Sequence, residues 1–150
     1  KRDDVLAYTS QVLTRDLEVT GPVSLKLFAA SSAPDTDFTA KLVDVRPDDY
    51  AANVAGGIVR ARFRESLSAP SPITPGKVYE YNVDLWATSH VFKAGHRIRL
   101  EVSSSNFPHF DRNPNTGHTF GTDKDVAIAR QTVFHDAARR SRLVLPVIPR

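Results

Sequence analysis

The sequence predicts an all-β protein, a single antiparallel β-sandwich domain over residues 1–150. Apolar residues recur at every second position in five separate runs, which is typical of strands that bury one face. Turn-forming residues separate these runs. The composition, 41% hydrophobic and 25% charged over 150 residues, suits one globular domain with its own core.

The alternating runs predict strands of antiparallel sheets, because one face of each run is apolar and the other is polar. These predicted strands cover residues 23–29, 38–43, 59–64, 79–86, 97–102 and a last short one at 143–145, which Pro146 and Pro149 close off. Gly21-Pro22 is expected to break the chain between residues 17–20 and the next strand. Further turns or loops are expected at 46–49, 56–57, 70–76 and 93–95.

Two stretches do not follow the period of two. Residues 104–121 are rich in Asn, Pro, His and Gly, and long loops of this kind are usually functional or packed on another surface. Residues 125–138 are compatible with either a strand or a short helix.

Composition excludes several classes of protein. Without cysteine there is no disulfide framework, thiol nucleophile or cysteine metal site. The net charge is +3, but acids and bases alternate along the chain, so nucleic-acid binding is not expected. No apolar run approaches the ~18 residues of a membrane span, and Lys1-Arg2-Asp3-Asp4 does not begin a signal peptide, which favours a soluble, cytoplasmic protein. Because the chain contains no methionine, we expect it to be a piece of a longer protein.

No residue pattern predicts catalysis. The nucleophile elbow G-x-S-x-G of α/β-hydrolases is missing, and Ser103, Ser104 and Ser105 stand at a predicted strand end without flanking glycines. We therefore assign no catalytic residue and expect no cofactor.

Metal binding is not expected either. The five histidines do not form H-E-x-x-H, and His109, His118 and Asp111 share a loop without the convergent ligands of a closed site. The segment from Asp111 resembles a calcium loop only at its start, because Thr116 and Thr122 replace the required glycine and glutamate. We expect Asp111, Asn113 and Asn115 to form successive Asx-turns that brace the loop instead.

Three arginines follow one another at alternate positions, Arg60, Arg62 and Arg64. They are expected on one solvated strand face, paired across the sheet with acids such as Glu80 and Asp84. The alternative is a docking surface for an acidic partner domain.

An ordered set of motifs resembles a known family. The motifs are DDVLAY (3–8), DLEVTGP (16–22), DTDFTAKL (35–42), DLWAT (84–88), FKAGHRIRL (92–100), SSNFP (104–108), DRNPNTG (111–117) and SRLVLP (141–146). Together they resemble the C-terminal non-catalytic domain of X-Pro dipeptidyl-peptidase/cocaine-esterase-like (CocE/NonD) serine hydrolases.

The resemblance implies a galactose-binding-domain-like jelly roll. It also implies a parent enzyme with a helical cap and an α/β-hydrolase catalytic domain, which would be the partner of this domain in the same chain. Since the Ser/Asp/His triad of such enzymes lies outside the matched region, this chain alone is expected to be inactive.

The long loop is the candidate site. We expect it to pack on the catalytic domain and to help wall the substrate pocket, because it is apolar yet braced. The candidate residues are Asn106, Phe107, Pro108, His109, Phe110, Asp111, Asn113 and Asn115, and Phe120 belongs to the same loop.

Two alternatives remain open. A jelly roll could be a carbohydrate-binding module, for which Trp86 is the only tryptophan available for stacking. The domain could also be a homo-oligomerisation unit that pairs one sheet face with a second copy.

Overall fold

The alternation of apolar and polar residues becomes nine antiparallel strands in the computed structural model, which describes residues 3–119 and 121–149. The strands are β1 (Leu6–Thr9), β2 (Leu17–Ser31), β3 (Asp37–Val45), β4 (Ala51–Arg60), β5 (Tyr79–Phe92), β6 (Arg97–Ser103), β7 (Gln131–Phe134), β8 (Arg142–Val144) and β9 (Val147–Ile148). One 3-10 turn, Ala61–Phe63, follows β4. No helix within the described ranges is long and apolar enough to cross a membrane.

The strands form two sheets. The first sheet has the order β1-β6-β3-β4. In the second sheet β5 pairs with one edge of the long strand β2, and β7, β8 and β9 pair in turn with its other edge. This architecture is an antiparallel jelly-roll β-sandwich, so the predicted fold class is confirmed.

The core lies between the two sheets. Alternate residues of β2 and β5 point inward and are at most 1% exposed, among them Leu25, Leu27, Val83 and Leu85. Phe38 and Leu42 of β3 meet them from the first sheet. The period of two seen in the sequence therefore marks the buried face correctly.

Gly21-Pro22 does not break the chain as expected, because β2 continues through it to Ser31. Gly21 adopts a φ of 133°, which residues with a side chain rarely reach. Next to it the pairing register shifts between Pro22 and Ser24, where β5 holds one extra residue. The distortion is thus absorbed as a β-bulge within a continuous strand pair.

Gly56-Gly57 is not a turn either; both glycines lie within β4. A Cβ atom on Gly57 would lie 1.8 Å from the carbonyl oxygen of Asp84 in β5. The glycine is needed because β4 of the first sheet meets the backbone of the second sheet here. The actual hairpin turn is at 46–50, where Arg46 N–H donates to Tyr50 O (2.9 Å).

The predicted strand 59–64 ends early, at Arg60. The chain then enters the 3-10 turn and buries Ala61, whose N–H donates to Thr36 O (2.8 Å). The three arginines therefore do not share one strand face, and the expected pairing with Glu80 and Asp84 is wrong. Glu80 pairs with Lys26 (2.7 Å) instead.

Three further predictions concern the turn at 93–95, the segment 125–138 and the last strand. The turn at 93–95 is confirmed, with Gly95 at φ 85° and His96 N–H donating to Lys93 O (3.0 Å). Within residues 125–138 the regular element is strand β7 rather than a helix. The last predicted strand is found as β8, shifted by one residue, and β9 follows it.

A buried carboxylate links the two sheets at the end near the 93–95 turn. Asp44 of β3 is 4% exposed. It accepts hydrogen bonds from Nε2 of His90 in β5 (3.0 Å) and from Nδ1 of His96 just before β6 (2.8 Å). Both acceptor oxygens are therefore satisfied, as a buried carboxylate requires.

Substituting Gly57→Ala tests the close approach of β4 to β5. The added Cβ would force the two backbones apart, so we expect a loss of about 3 kcal/mol or more in the free energy of unfolding. Chemical denaturation measures it. Gly56→Ala is the matched control, since its Cβ would be 3.3 Å from Ala40 O; equal losses would contradict the proposed contact.

Tyr81 provides a test at alkaline pH. Its side chain is fully buried, its hydroxyl has no hydrogen-bond partner in the described part of the chain, and burial raises its pKa from 10.0 to about 12. The folded state therefore holds this proton more tightly than the unfolded state. The free energy of unfolding should therefore keep its full value below pH 10. Between pH 10 and 12 it should fall by at most about 1.4 kcal/mol per pH unit.

Tyr81→Phe should remove this part of the alkaline loss, and at neutral pH it should leave stability unchanged or raise it by about 1 kcal/mol. Denaturant unfolding at several pH values compares the two proteins. Parallel decreases in both proteins above pH 10 would show that Tyr81 does not titrate in this way.

Candidate functional site

The long loop 104–121 begins where β6 ends and crosses one end of the sandwich. Ser103, the last residue of β6, pairs with Thr39 of β3, and the two hydroxyls are 2.8 Å apart. The loop therefore lies beside the start of β3 and the end of β4, which is opposite to the turn at 93–95.

Two acidic side chains are buried at this end. Asp35 precedes β3 and is 0% exposed, and Asp37 is its first residue and is 1% exposed. Taking a carboxylate out of water costs several kcal/mol unless donors replace the lost hydration. Their partners therefore determine whether this end of the sandwich can form.

Asn113 of the loop supplies one of these partners. Its side-chain amide nitrogen donates to Asp35 Oδ2 (2.9 Å) and to Asp37 Oδ1 (2.8 Å). Because an amide nitrogen carries two hydrogens, one side chain can serve both carboxylates. These two hydrogen bonds attach the middle of the loop to the sandwich.

Two arginines complete the pairing. Arg60 binds Asp37 through Nε (2.8 Å) and Nη2 (3.0 Å). Arg62 binds Asp35 through its backbone N–H (2.9 Å) and Nε (2.7 Å). We call the set Asp35, Asp37, Arg60, Arg62 and Asn113 the loop anchor.

The arginines also reach back to the loop. Arg60 Nη2 donates to Asp111 Oδ2 (3.0 Å), and Arg62 Nη1 donates to the backbone oxygen of His118 (2.9 Å). Hydrogen bonding and charge from Asp37, and then from Asp111, raise the pKa of Arg60 above its ordinary value. Arg60 and Arg62, which were predicted to face solvent or an acidic partner domain, therefore bind groups of this domain itself.

The expected series of Asx-turns is found only in part. Asn113 Oδ1 accepts from Asn115 N–H (2.9 Å), as an Asx-turn requires. Asp111 pairs with Arg60 instead, and the Asn115 amide reaches forward to Ala127 O (3.0 Å). Most of the bracing therefore comes from distant residues rather than from the loop itself.

Residues 123–127, which follow the loop, are hydrogen-bonded to it. Ala127 N–H donates to Pro114 O (2.8 Å). Asp123 accepts a hydrogen bond from the Thr116 hydroxyl and lies 3.1 Å from His118 Nδ1. The bonds from Thr116 and then His118 lower the pKa of Asp123 below its ordinary value.

The first part of the loop faces solvent. A tight turn forms where Asn106 O accepts from His109 N–H (2.9 Å) and Phe110 N–H (3.2 Å). Phe107 at its tip is 63% exposed, and Pro108 and His109 are also exposed. The His109 ring packs edge-on against Phe110, with centroids 4.7 Å apart.

A groove of about 370 Å³ lies next to this tip, on the outer face of the first sheet. Asn106 and His109 form one wall, and the opposite wall comes from β3 and β4. The loop and this sheet face thus form one continuous surface with an apolar, exposed tip.

The structure brings together two groups of the predicted site residues. Asp111, Asn113 and Asn115 attach the loop to other segments through side-chain hydrogen bonds, whereas Asn106 to Phe110 form the tip. Phe120 lies outside the described residues. Trp86 lies in the second sheet, at the bulge in the middle of β5, with a φ of 64°, and is 72% exposed.

The described residues contain no group of three or more His, Asp or Glu side chains arranged to hold a metal ion. Ser103 and Ser105 hydrogen-bond within the loop entrance, where Ser103 Oγ donates to Ser105 O (3.1 Å).

Sequence reasoning missed the loop anchor. A signal was available, because Asp35-Thr36-Asp37 opens one predicted strand and Arg60-Ala61-Arg62 ends the next. Asp37 and Arg60 are directly paired in the β3–β4 ladder. Register between the two strands, however, becomes known only when Gly56 and Gly57 are placed inside β4.

Comparison with known proteins covers nearly the whole chain. Residues 1–144 match the family described as the X-Pro dipeptidyl-peptidase C-terminal non-catalytic domain. The chain belongs to this family. It is 51% identical over 151 residues to the cocaine esterase of Rhodococcus sp. (strain MB1 Bresler), which covers 99% of the chain and 26% of the esterase.

Two solved structures are similar to this chain in both fold and sequence. An α-amino acid ester hydrolase is 34% identical with a TM-score of 0.92, covering 98% of this chain and 26% of that one. An aminopeptidase from a marine sediment Thaumarchaeota archaeon is also 34% identical with a TM-score of 0.92, covering 99% and 26%. The chain therefore spans about a quarter of the length of these relatives.

The loop anchor predicts a specific effect of Asn113→Leu. The change leaves Asp35 and Asp37 each short of a donor while both stay buried, so we expect a loss of about 2–3 kcal/mol in unfolding free energy. Limited proteolysis should then cut within 104–121. Arg112→Gln, an exposed neighbour, is the control and should change stability by less than about 0.5 kcal/mol; equal stability of both variants would refute the anchor.

Proposed function

We propose that this chain is the non-catalytic C-terminal domain of a larger serine hydrolase that acts on esters or X-Pro peptides. Its catalytic and cap domains would lie in the remainder of the parent chain. In this role the domain packs on the α/β-hydrolase catalytic domain, and its 104–121 loop helps to wall the substrate pocket.

The observation that carries the proposal is the division of the loop into an anchored base and an exposed apolar tip. The loop anchor holds the base with buried charged groups. The tip presents Phe107, 63% exposed, on a tight turn. A rigid aromatic side chain that is held outward is the kind of residue that anchors an interface, because little conformational entropy is lost when it binds.

The neighbouring sheet surface supports the same role. The groove beside Asn106 and His109 extends the tip into a broader face that includes Lys41 and Asn53. Substrate pockets often form at clefts between domains, where each domain contributes one wall. A loop fixed at one domain's end is suited to be such a wall.

The chemistry is assigned to the rest of the parent chain. The residues of this domain include no nucleophile elbow, and Ser103 is engaged by Thr39 at a strand end. We therefore expect the parent to supply nucleophile, base and oxyanion donors, while this domain shapes access to them.

Phe107→Ala in the full-length parent tests the proposal. We expect kcat/KM for a small aryl ester or an X-Pro chromogenic dipeptide to fall about tenfold, mainly through KM, with a lower unfolding temperature of the parent. Loss of the aromatic anchor would loosen the pocket wall.

Tyr50→Ala is the matched control. Tyr50 is also an exposed aromatic residue, at 57%, but lies at the opposite end of the sandwich. Its removal should leave kcat/KM unchanged. If Phe107→Ala leaves both activity and stability of the parent as they were, the loop does not wall the pocket.

A further inference from the structure

The two sheets are close at one edge of the sandwich and separate at the other. Gly57 brings β4 against β5, as described above. At the opposite edge a cavity of about 490 Å³ lies between the sheets, where β1 and β6 face β2, β7 and β8. Its walls are mainly aliphatic side chains: Leu25, Leu27, Ile98, Leu100, Val102, Val133 and Leu143.

Strand pairing shows that β1 points apolar side chains toward this cavity. Directly paired residues of antiparallel strands lie on the same face of the sheet. Leu6 pairs with Val102 and Tyr8 pairs with Leu100, and both partners belong to the core or pack against it. Leu6 and Tyr8 therefore face inward, yet they are 45% and 39% exposed. The second sheet thus leaves the inner face of β1 partly uncovered.

The second sheet shows the same feature from its own side. Leu143 of β8 pairs with Leu25, which is 1% exposed, and so faces the core. Val133 of β7 faces the core as well, as part of the same cavity wall. Both Leu143 and Val133 are nevertheless only partly buried. Side chains at core-facing positions of both sheets therefore lack the packing that the rest of the sandwich provides.

The polar groups around the cavity suit a polypeptide better than a small polar ligand. The hydroxyl of Ser10 donates to Gln11 O (2.8 Å) and accepts from Ile98 N–H (3.0 Å), so it is already used. The hydroxyl of Ser141 is used within the domain too. Within residues 3–119 and 121–149, β1 has a strand partner on one side only, β6. The other edge of β1 presents backbone groups that a further strand can pair with.

The start of the described chain lies at this same edge. Asp3 and Asp4 line a neighbouring cavity of about 330 Å³ together with Gln131 and Val133 of β7. The matched family is a C-terminal domain, and the chain accounts for 26% of the cocaine esterase that it matches. The remainder of the parent is therefore expected to precede residue 1 and to reach this domain beside the cavity.

We propose that a segment of the parent chain that precedes residue 1 covers this cavity. Its apolar side chains lie between the sheets, and its backbone pairs with the free edge of β1. The proposal rests on the proposed function in one respect, since it takes the chain to be part of a longer hydrolase. It does not depend on the role of the 104–121 loop. A failure of that role would appear in the activity of Phe107→Ala and would leave the cover of the cavity unchanged.

Tyr8→Cys tests whether the cavity is covered in the parent. Because the 150 residues contain no cysteine, the added thiol is the only one in this domain. Its reaction with N-ethylmaleimide is followed by mass spectrometry of the peptide that contains position 8, in the 150-residue chain and in the full-length parent. We expect the thiol to react at least about tenfold more slowly in the parent, because a covered site reacts only after local opening.

Tyr50→Cys is the matched control. Tyr50 is 57% exposed at the β3–β4 turn and does not line the cavity, so its thiol should react at the same rate in both proteins. Equal rates at position 8 in the chain and the parent would overturn the proposal. Slowing of the same size at positions 8 and 50 would also overturn it, because the protection would not be specific to the cavity.

Photo-crosslinking identifies what covers the cavity. In the parent, Tyr8 is replaced by the aromatic photo-crosslinking residue p-benzoylphenylalanine, and the irradiated protein is digested and analysed by mass spectrometry. We expect position 8 to be joined to a peptide that precedes residue 1 in the same molecule. Cross-links only to residues 1–150 of the same molecule, or to a second copy at twice the mass, would show that this segment is not the cover and would overturn the proposal.

Discussion

The pairing of two buried carboxylates, Asp35 and Asp37, with their donors is the interaction on which the loop-bearing end of this domain depends. Neither could be buried alone, because the cost of removing its charge from water exceeds what packing returns. Arg60 and Arg62, at and just after the end of β4, and Asn113 in the long loop supply the missing donors. The start of β3, the end of β4 and the long loop are thereby fixed to one another.

The two edges of the sandwich differ in how closely the two sheets approach each other. Where β4 meets β5, a glycine allows backbone contact and leaves no space. At the other edge β2 pairs with the short strands β7, β8 and β9, and a cavity lined mainly by aliphatic side chains lies between the sheets. One domain thus carries an anchored loop at its end and a cavity at its open edge.

The chain belongs to the family of X-Pro dipeptidyl-peptidase C-terminal non-catalytic domains and spans about a quarter of the length of its relatives. Both findings support the proposal that it acts within a longer chain. In the role proposed above, a rigid sandwich influences the reaction by holding one wall of the substrate pocket in place. The loop anchor makes the base of the 104–121 loop stiff, since its charged hydrogen bonds are shielded from water.

The sequence by itself determined the fold class and most strand positions, because the alternation of apolar and polar residues is local and directly reports which face is buried. It also marked 104–121 as the unusual segment. Only the tertiary structure decided that Gly56-Gly57 lie within a strand, that Gly21 continues β2, and that Arg60 and Arg62 point into the domain. Asn113 meets Asp35 and Asp37 across separations of 78 and 76 residues. No local pattern specifies such partners; they follow from strand register and from the requirement that buried charges be paired.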